Sequence, residues 1–278
     1  MTCCRMVGYI GTDRERLSCA LHQLKDVLVA AEGSGYGVAH YSDEALLLNR
    51  RPGVAISGHS YAELTGGVRT RVLLAHAFPP HEDNVQARDL HPFKFRNWAF
   101  AMTGTLPEDE ASREVVCGEL MKGVPDFLLR NVQGHSCAEA LFHHFLLRLH
   151  DVNQLRNGVH DIAAVALALR ESVDSATTLA KDNGVVEPAL NVIATDGHRL
   201  YVLRRGAAIA QYMREGIVSC ELCYGSGDGM DSFSLRESHQ RFRAVLFAVD
   251  VDEAAEGWKL LEPDVLLVVD GSMEIQML

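Results

Sequence analysis

Residues 1–11 read M-T-C-C-R-M-V-G-Y-I-G, and the stretch from Cys4 to Gly11 is the one on which the reading of the fold turns. Two adjacent cysteines lead into an arginine and a short apolar run punctuated by glycine. Cys4 to Ile10 reads as a strand. A cysteine at the head of a mature chain carries both halves of a catalytic pair: the thiol attacks, and its own α-amine, which titrates at roughly 7.7–8.0, takes the proton. For Cys4 to hold that place, Met1, Thr2 and Cys3 must be removed, or the base must come from elsewhere. Cys3 as nucleophile would shift the strand by one residue and turn its side chain to the other face. The same two cysteines also suit small buried apolar positions.

The rest of the composition narrows the setting. The chain has 278 residues and a formal net charge of −11. Such a length buries a large core without staples. The acidic balance argues against a nucleic-acid binder and against adhesion to an anionic membrane surface. The cysteines at 3, 4, 19, 117, 137, 220 and 223 are odd in number and scattered, so they read as reduced thiols in a cytoplasmic protein. Cys220-x-x-Cys223 lacks the second pair that a zinc ribbon needs, and it reads as loop cysteines with no metal. No signal peptide is apparent. The longest apolar run, Ile162 to Leu169, is far short of a membrane span.

Taken in order, strands come first, helices next and strands again. Thr12-Asp13-Arg14-Glu15 opens a capping box, with Leu17, Leu21, Leu24, Leu28 and Ala31 on one helical face. Gly33 to Tyr41 is a glycine-rich entry to a strand, without the lysine or helix of a phosphate loop. A hairpin returns over Ala45 to Leu48, and Arg50 to Gly67 reads as a surface excursion. Val72 to Ala77 and Trp98 to Met102 are strands. Helices follow over Glu108 to Lys122, behind the capping box Ser136-Cys137-Ala138-Glu139, and over Asp161 to Ala180. Asp196-Gly197 and Asp270-Gly271 each mark a hairpin. This order gives an α+β fold with antiparallel sheets, read as one domain over 1–278. His135, His143, His144, His150 and His160 cluster around one helix, but adjacent His143 and His144 diverge by about 100° on a helix and share an ion poorly. They read as solvated or core-edge histidines. Gly225 to Gly229 reads as a surface loop, since a calcium loop's ligand spacing is missing.

Several segments together resemble the class II glutamine amidotransferases, of the N-terminal-nucleophile hydrolase group, and among them the small stand-alone γ-glutamyl hydrolase of ergothioneine biosynthesis. The family start C-R-x-x-G-Y-x-G matches Cys4 to Gly11. Gly35-Tyr36-Gly37 through Tyr41, His91-Pro92-Phe93 with Trp98-Ala99-Phe100, Ala138 to Phe142, Asp196 to Tyr201 and Gly257-Trp258 resemble further family segments in the right order. The resemblance implies an αββα sandwich of four layers, with two stacked antiparallel sheets between helices.

It also implies a cysteine that attacks a small-molecule amide. In this sequence Cys4 matches the nucleophile and Gly104 the oxyanion glycine. Three further roles fall on different chemistry. The arginine that grips the substrate carboxylate is replaced by Phe78, in His76-Ala77-Phe78. The oxyanion asparagine is replaced by Thr103, and the aspartate that holds the α-ammonium by Cys137. His76 and Tyr36 stand beside these positions as candidate substrate contacts. Losing one oxyanion donor typically costs on the order of 10²–10³ in rate. Two functions follow: an amide hydrolase with an altered substrate site, or an inactive relative kept for binding or assembly. No cofactor is expected. An ammonia acceptor would sit on a separate synthetase or partner subunit.

Overall fold

A computed structural model describes residues 5–278 except 32, 34, 44, 55, 57, 79–85, 108, 157, 225–232 and 252–254, with the backbone alone at 224, 233 and 234. Cys3, Cys4 and the Gly225–Gly229 loop lie outside the described residues.

Strand β1 (Met6–Gly11) is buried along its whole length. Its side chains alternate between two cores: Met6 and Ile10 face one way, Val7 and Tyr9 the other. That alternation is what a strand in the middle of a covered sheet requires. Around it lie β2 (Gly35–Ser42), β3 (Ala45–Pro52), β4 (Val72–Phe78), β9 (Ile209–Glu215), β10 (Arg243–Val249) and β11 (Trp258–Leu260). They form a seven-stranded sheet in the order β11-β9-β10-β1-β4-β2-β3. A second sheet of six strands has the order β13-β12-β8-β7-β6-β5. Its strands are β5 (Phe93–Phe95), β6 (Trp98–Gly104), β7 (Leu190–Thr195), β8 (Arg199–Arg204), β12 (Val265–Asp270) and β13 (Ile275–Met277). The registered pairs are antiparallel throughout.

The sheets stack through Met6, Leu74 and Phe247 on one side and Ala101, Ile193 and Leu267 on the other. The outer face of the six-stranded sheet carries α3 (Glu110–Met121), the short α4 (Asp126–Leu129), α5 (Cys137–Asp151) and α6 (Ile162–Asp182). Leu141, Phe142, Phe145, Leu146 and Leu149 of α5 are all buried, as their spacing predicts. Each contributes about 1.5–3 kcal/mol on leaving water. The outer face of the seven-stranded sheet is covered by shorter pieces: α1 (Leu17–His22), α2 (Tyr61–Leu64), α7 (Glu221–Tyr224) and α8 (Phe233–Arg241). The expected αββα order of layers is therefore present. Among the described residues, no helix is long and apolar enough to cross a membrane.

Local expectations fare unevenly. The helix expected from Thr12 stops at His22, although Leu24, Leu28 and Ala31 are still buried. Asp13, not Thr12, accepts from the Glu15 N–H at 2.9 Å and caps the 3-10 turn Arg14–Arg16 that leads into α1. The Thr12 hydroxyl instead ties to Arg243, donating to its carbonyl at 3.2 Å and accepting from its N–H at 3.0 Å. At α5 the Ser136 side chain accepts from the Glu139 N–H, but Glu139 does not close a capping box. Its carboxylate accepts from the N–H groups of Gln133 and Gly134, holding the preceding loop. Arg50 to Gly67 is not all surface: Arg50 to Pro52 extend β3, and buried Tyr61 lies in α2. The expectation of uniformly reduced thiols is corrected by a Cys117–Cys137 disulfide joining α3 to α5.

Candidate active site

The site is assembled at the end of β1 where the two sheets meet. The Arg5 N–H donates to the Val249 carbonyl at 3.1 Å, and the Arg5 carbonyl accepts from the Ala77 N–H at 2.8 Å. This holds the backbone just before β1 between β10 and β4. The Arg5 guanidinium is half exposed, with Nε 3.5 Å from Asp250 Oδ2. Met6 pairs with His76 on β4. Met6 faces the second sheet, so His76 faces it too, and the period of two carries Phe78 to the same side. The His76 and Phe78 rings lie 6.5 Å apart.

Across the gap, Ala99 and Ala101 of β6 face the first sheet, and the same alternation turns Thr103 toward it. His91 fills the space between. Its ring lies 4.6 Å from that of His76 and 4.7 Å from that of Phe93, and its Nδ1 accepts from the Met102 N–H at 3.4 Å. The His91–Pro92 peptide is cis. Gly37 permits this approach. A Cβ on Gly37, which pairs with His76, would come within 1.9 Å of the His91 carbonyl oxygen. Gly104 closes β6 at a φ of +136°, and a Cβ there would lie 1.7 Å from the Ala189 carbonyl oxygen.

Burial governs the electrostatics. It pushes the His76 imidazole down to about 3, with the Arg5 charge acting in the same direction. Burial also takes His91 well below the ordinary histidine value, helped by His76 and Arg50. Both rings are neutral near pH 7, so the pair adds hydrogen-bonding capacity without charge. His76 Nδ1 and Thr103 Oγ1 are buried and have no hydrogen-bond partner among the described residues. A buried polar atom without a partner is costly, so these two could meet a polar group brought into the gap.

The expected site residues divide accordingly. His76, Phe78 and Thr103 come to one face, and Gly104 follows Thr103 directly. Cys4, the expected nucleophile, lies outside the described residues. Tyr36 pairs with Ala77 and packs into the outer core with Val7 and Ala75, on the opposite side of the sheet from His76. Cys137 does not join the group either: it is buried in the first turn of α5, its sulfur bonded to Cys117. In the sequence His91 stands out only as part of the His91-Pro92-Phe93 motif, and its contact with His76 depends on the sheet-to-sheet packing. Two clefts, of ≈ 560 Å³ beside β5 and ≈ 470 Å³ between α3 and the start of α5, include none of His76, Phe78, Thr103 or Gly104 in their linings. Arg50, on the first of them, is spent on the carbonyls of Pro92, Ala87 and Arg88.

Of the histidines expected to be solvated or at the core edge, His143, His144 and His160 are buried. His143 bonds the Glu139 carbonyl, and His144 the Leu120 carbonyl, each at 2.9 Å. His160 pairs with Asp196. Elsewhere, on the outer side of the seven-stranded sheet, Cys19, Cys220, Cys223 and His239 bring one donor atom each to within 4.8 Å of one another. The sequence reading did not bring these four together.

No protein-family model matches the chain, and no curated protein matches it by sequence. Solved structures do resemble it. A glutamine aminotransferase class-II domain protein from Silicibacter pomeroyi is 18% identical, with a TM-score of 0.58 over 99% of this chain and 98% of that one. A predicted glutamine amidotransferase from Pseudomonas aeruginosa is 14% identical, with a TM-score of 0.60 over 98% of this chain and 99% of that one. The glutamine phosphoribosylpyrophosphate amidotransferase of B. subtilis is 14% identical, with a TM-score of 0.52, and this chain spans 49% of it. At these identities the likeness concerns architecture: the chain has the fold of the class II glutamine amidotransferases.

Proposed function

We propose that this chain is a divergent amide hydrolase of the class II glutamine amidotransferase type, with Cys4 as nucleophile. The observation that carries the reading is the Thr103-Gly104 end of β6 on the face that holds His76, beside the strand that Cys4 precedes in sequence. In the proposed reaction the Cys4 sulfur attacks the amide carbonyl, and the developing oxyanion is met by the Gly104 N–H and the Thr103 hydroxyl. The amine or ammonia leaves with a proton, and water then hydrolyses the thioester.

The substrate is a small-molecule amide of glutamine or γ-glutamyl type in its reacting group, without glutamine's full set of charged anchors. Phe78 offers an apolar wall where a carboxylate would need a cation. The Cys137 sulfur, bonded to Cys117, offers nothing to an α-ammonium. Ammonia transfer would use a separate synthetase or partner subunit, and the reading places the protein in the cytoplasm without nucleic-acid or membrane partners. A second reading, an inactive binding or assembly subunit, is favoured by that same loss of both charged anchors.

Ammonia release from glutamine, γ-glutamyl amides and apolar primary amides, by wild type and Cys4→Ala, separates the two. Release that disappears in Cys4→Ala supports the hydrolase. Equal release from both proteins removes it, and no release from either, with residues 1–3 still present by intact mass, selects the binding subunit.

A further inference from the structure

We infer that Cys19, Cys220, Cys223 and His239 form a structural zinc site. Their donor atoms lie within 4.8 Å of one another. A tetrahedral zinc with arms of about 2.3 Å to sulfur and about 2.0 Å to nitrogen holds its ligands at edges of about 3.5–3.8 Å. The Cys19 and Cys223 sulfurs are 3.5 Å apart. That suits two ligands of one ion and is far beyond a disulfide bond of about 2.05 Å. All three cysteines are free thiols, and Cys19, Cys220 and His239 are buried.

The donor set selects the metal. Three thiolates and one imidazole are a closed tetrahedral set of the structural zinc kind, with no position left for substrate. The Cys220-x-x-Cys223 spacing brings two sulfurs to one point, Cys220 from just before α7 and Cys223 from within it. His239 is oriented from behind: its Nδ1–H donates to the Leu235 carbonyl at 2.8 Å, which directs Nε2 to the ligand side. The Arg16 guanidinium donates to Ser238, the neighbour of His239, at 2.7 and 3.0 Å, placing a positive charge beside a site whose net charge would be −1.

The placement gives the ion a task. Long helices cover the six-stranded sheet, whereas α1, α7 and α8, over the seven-stranded sheet, have 6, 4 and 9 residues. Pieces so short bury little by themselves. A zinc bound to all three would join segments more than 200 residues apart in sequence and exchange thiol protons for one cation. This inference is independent of the amide hydrolase reading.

The test is metal analysis of the full-length protein purified without chelator. The expected result is about one zinc per chain, lost in Cys223→Ser and in His239→Ala but kept in Cys117→Ser and Cys4→Ala. Because a ligand variant could fail to fold, the wild type is also exchanged with Co²⁺, where a tetrahedral thiolate–cobalt spectrum is expected. A strong zinc chelator should lower the Tm by several degrees and expose three further thiols to alkylation. A metal-free chain from zinc-supplemented cells, an octahedral cobalt spectrum, or a disulfide mapped among Cys19, Cys220 and Cys223 would each overturn the site.

Discussion

His160 Nδ1 lies 3.0 Å from Asp196 Oδ2, with the two side chains only 7% and 1% exposed. The other ring nitrogen, Nε2, is 2.9 Å from the Arg156 carbonyl, which can only accept. Acceptors on both ring nitrogens favour the imidazolium form. Asp196 also accepts from the His198 and Arg199 N–H groups at 2.9 and 2.8 Å, closing the turn between β7 and β8. One carboxylate thus joins the hairpin to the segment before α6.

The pair predicts a pH window of stability. The hydrogen bond to Asp196 raises the His160 value above its ordinary one, with burial opposing. Burial alone would raise Asp196, but the bonds from His160, His198 and Arg199 outweigh it and hold the carboxyl below its usual range. The histidine contribution is full below its unfolded value of about 6.5 and fades as pH rises through the folded one. The aspartate contribution is full above about 3.9 and fades as pH falls through the folded value. Both are present together between those limits. Asp196→Asn keeps an oxygen for the turn but removes the charge. It should cost about 3 kcal/mol between pH 4 and 6.5, and less above pH 8. Urea denaturation across pH checks this, and a variant that loses equally at all pH values would remove the ion-pair explanation.

Three glycines separate close approach from idle flexibility. Gly104→Ala must relieve both a φ of +136° and a 1.7 Å overlap with the Ala189 oxygen, and it should cost at least about 2 kcal/mol. Gly37→Ala pushes on the His91 carbonyl and should cost about 1–3 kcal/mol. Gly118 lies exposed inside α3 with nothing within 4 Å of an added Cβ. Gly118→Ala should therefore stabilise by about 0.5–1 kcal/mol. Melting curves for the three variants decide the matter, and a stabilised Gly104→Ala would contradict the geometry at the end of β6.

The difference between Gly104 and Gly118 also marks how much the sequence could disclose. Period-two and helical patterns are written in neighbouring residues, so β1, β4, β6, α5 and both Asp-Gly hairpins could be read directly. Helix α1 misled because its buried leucines continue through turns after His22, and turns can keep a helical spacing of apolar residues. Strand β9 carries mixed polarity at its far end, with Gln211 and Arg214 on it, and gave no clear signal. At the candidate site, Thr103 and Phe78 could be placed through neighbouring motif residues. The contact between His76 and His91 could not, because it forms only when the sheets stack. Tyr36 lies one position from Gly37 and so faces the other side of β2 from the His76 group, which only the strand's parity reveals. Cys137 was aligned with an anchoring role, while its bond to Cys117 depends on how α3 packs on α5. The four-residue cluster of Cys19, Cys220, Cys223 and His239 was hidden by distance along the chain, since only one of its contacts lies within a short motif.

The disulfide leads to a stability prediction that does not involve the candidate site. Cys117 and Cys137 are 20 residues apart, and the bond joins two helices that already pack together. Removing a loop of this length from the constrained unfolded chain costs about 3 kcal/mol in the loop-entropy account. For a chain of this size the double variant Cys117→Ser/Cys137→Ser should melt roughly 6–12 °C lower than wild type. Peptide mapping without reductant should recover the joined 117 and 137 peptides. Identical melting of the two proteins, with both thiols alkylated in the wild type, would show the bond is not formed in solution.

Phe78 offers the sharpest test of substrate charge. It lies on the face of His76 and Thr103, where a guanidinium would reach toward the same gap. Phe78→Arg should lower KM for amides that carry a carboxylate by roughly tenfold, about 1.4 kcal/mol, and weaken apolar amides by a similar factor. The Cys117–Cys137 bond is untouched, so the α-ammonium of glutamine still finds no anchor. N-acetylglutamine should therefore gain as much as glutamine does. Steady-state ammonia release on the three substrate types reads the outcome. A variant that favours glutamine over its N-acetyl form would place an ammonium anchor elsewhere on this face, and one that leaves all three KM values unchanged would remove Phe78 from the substrate site.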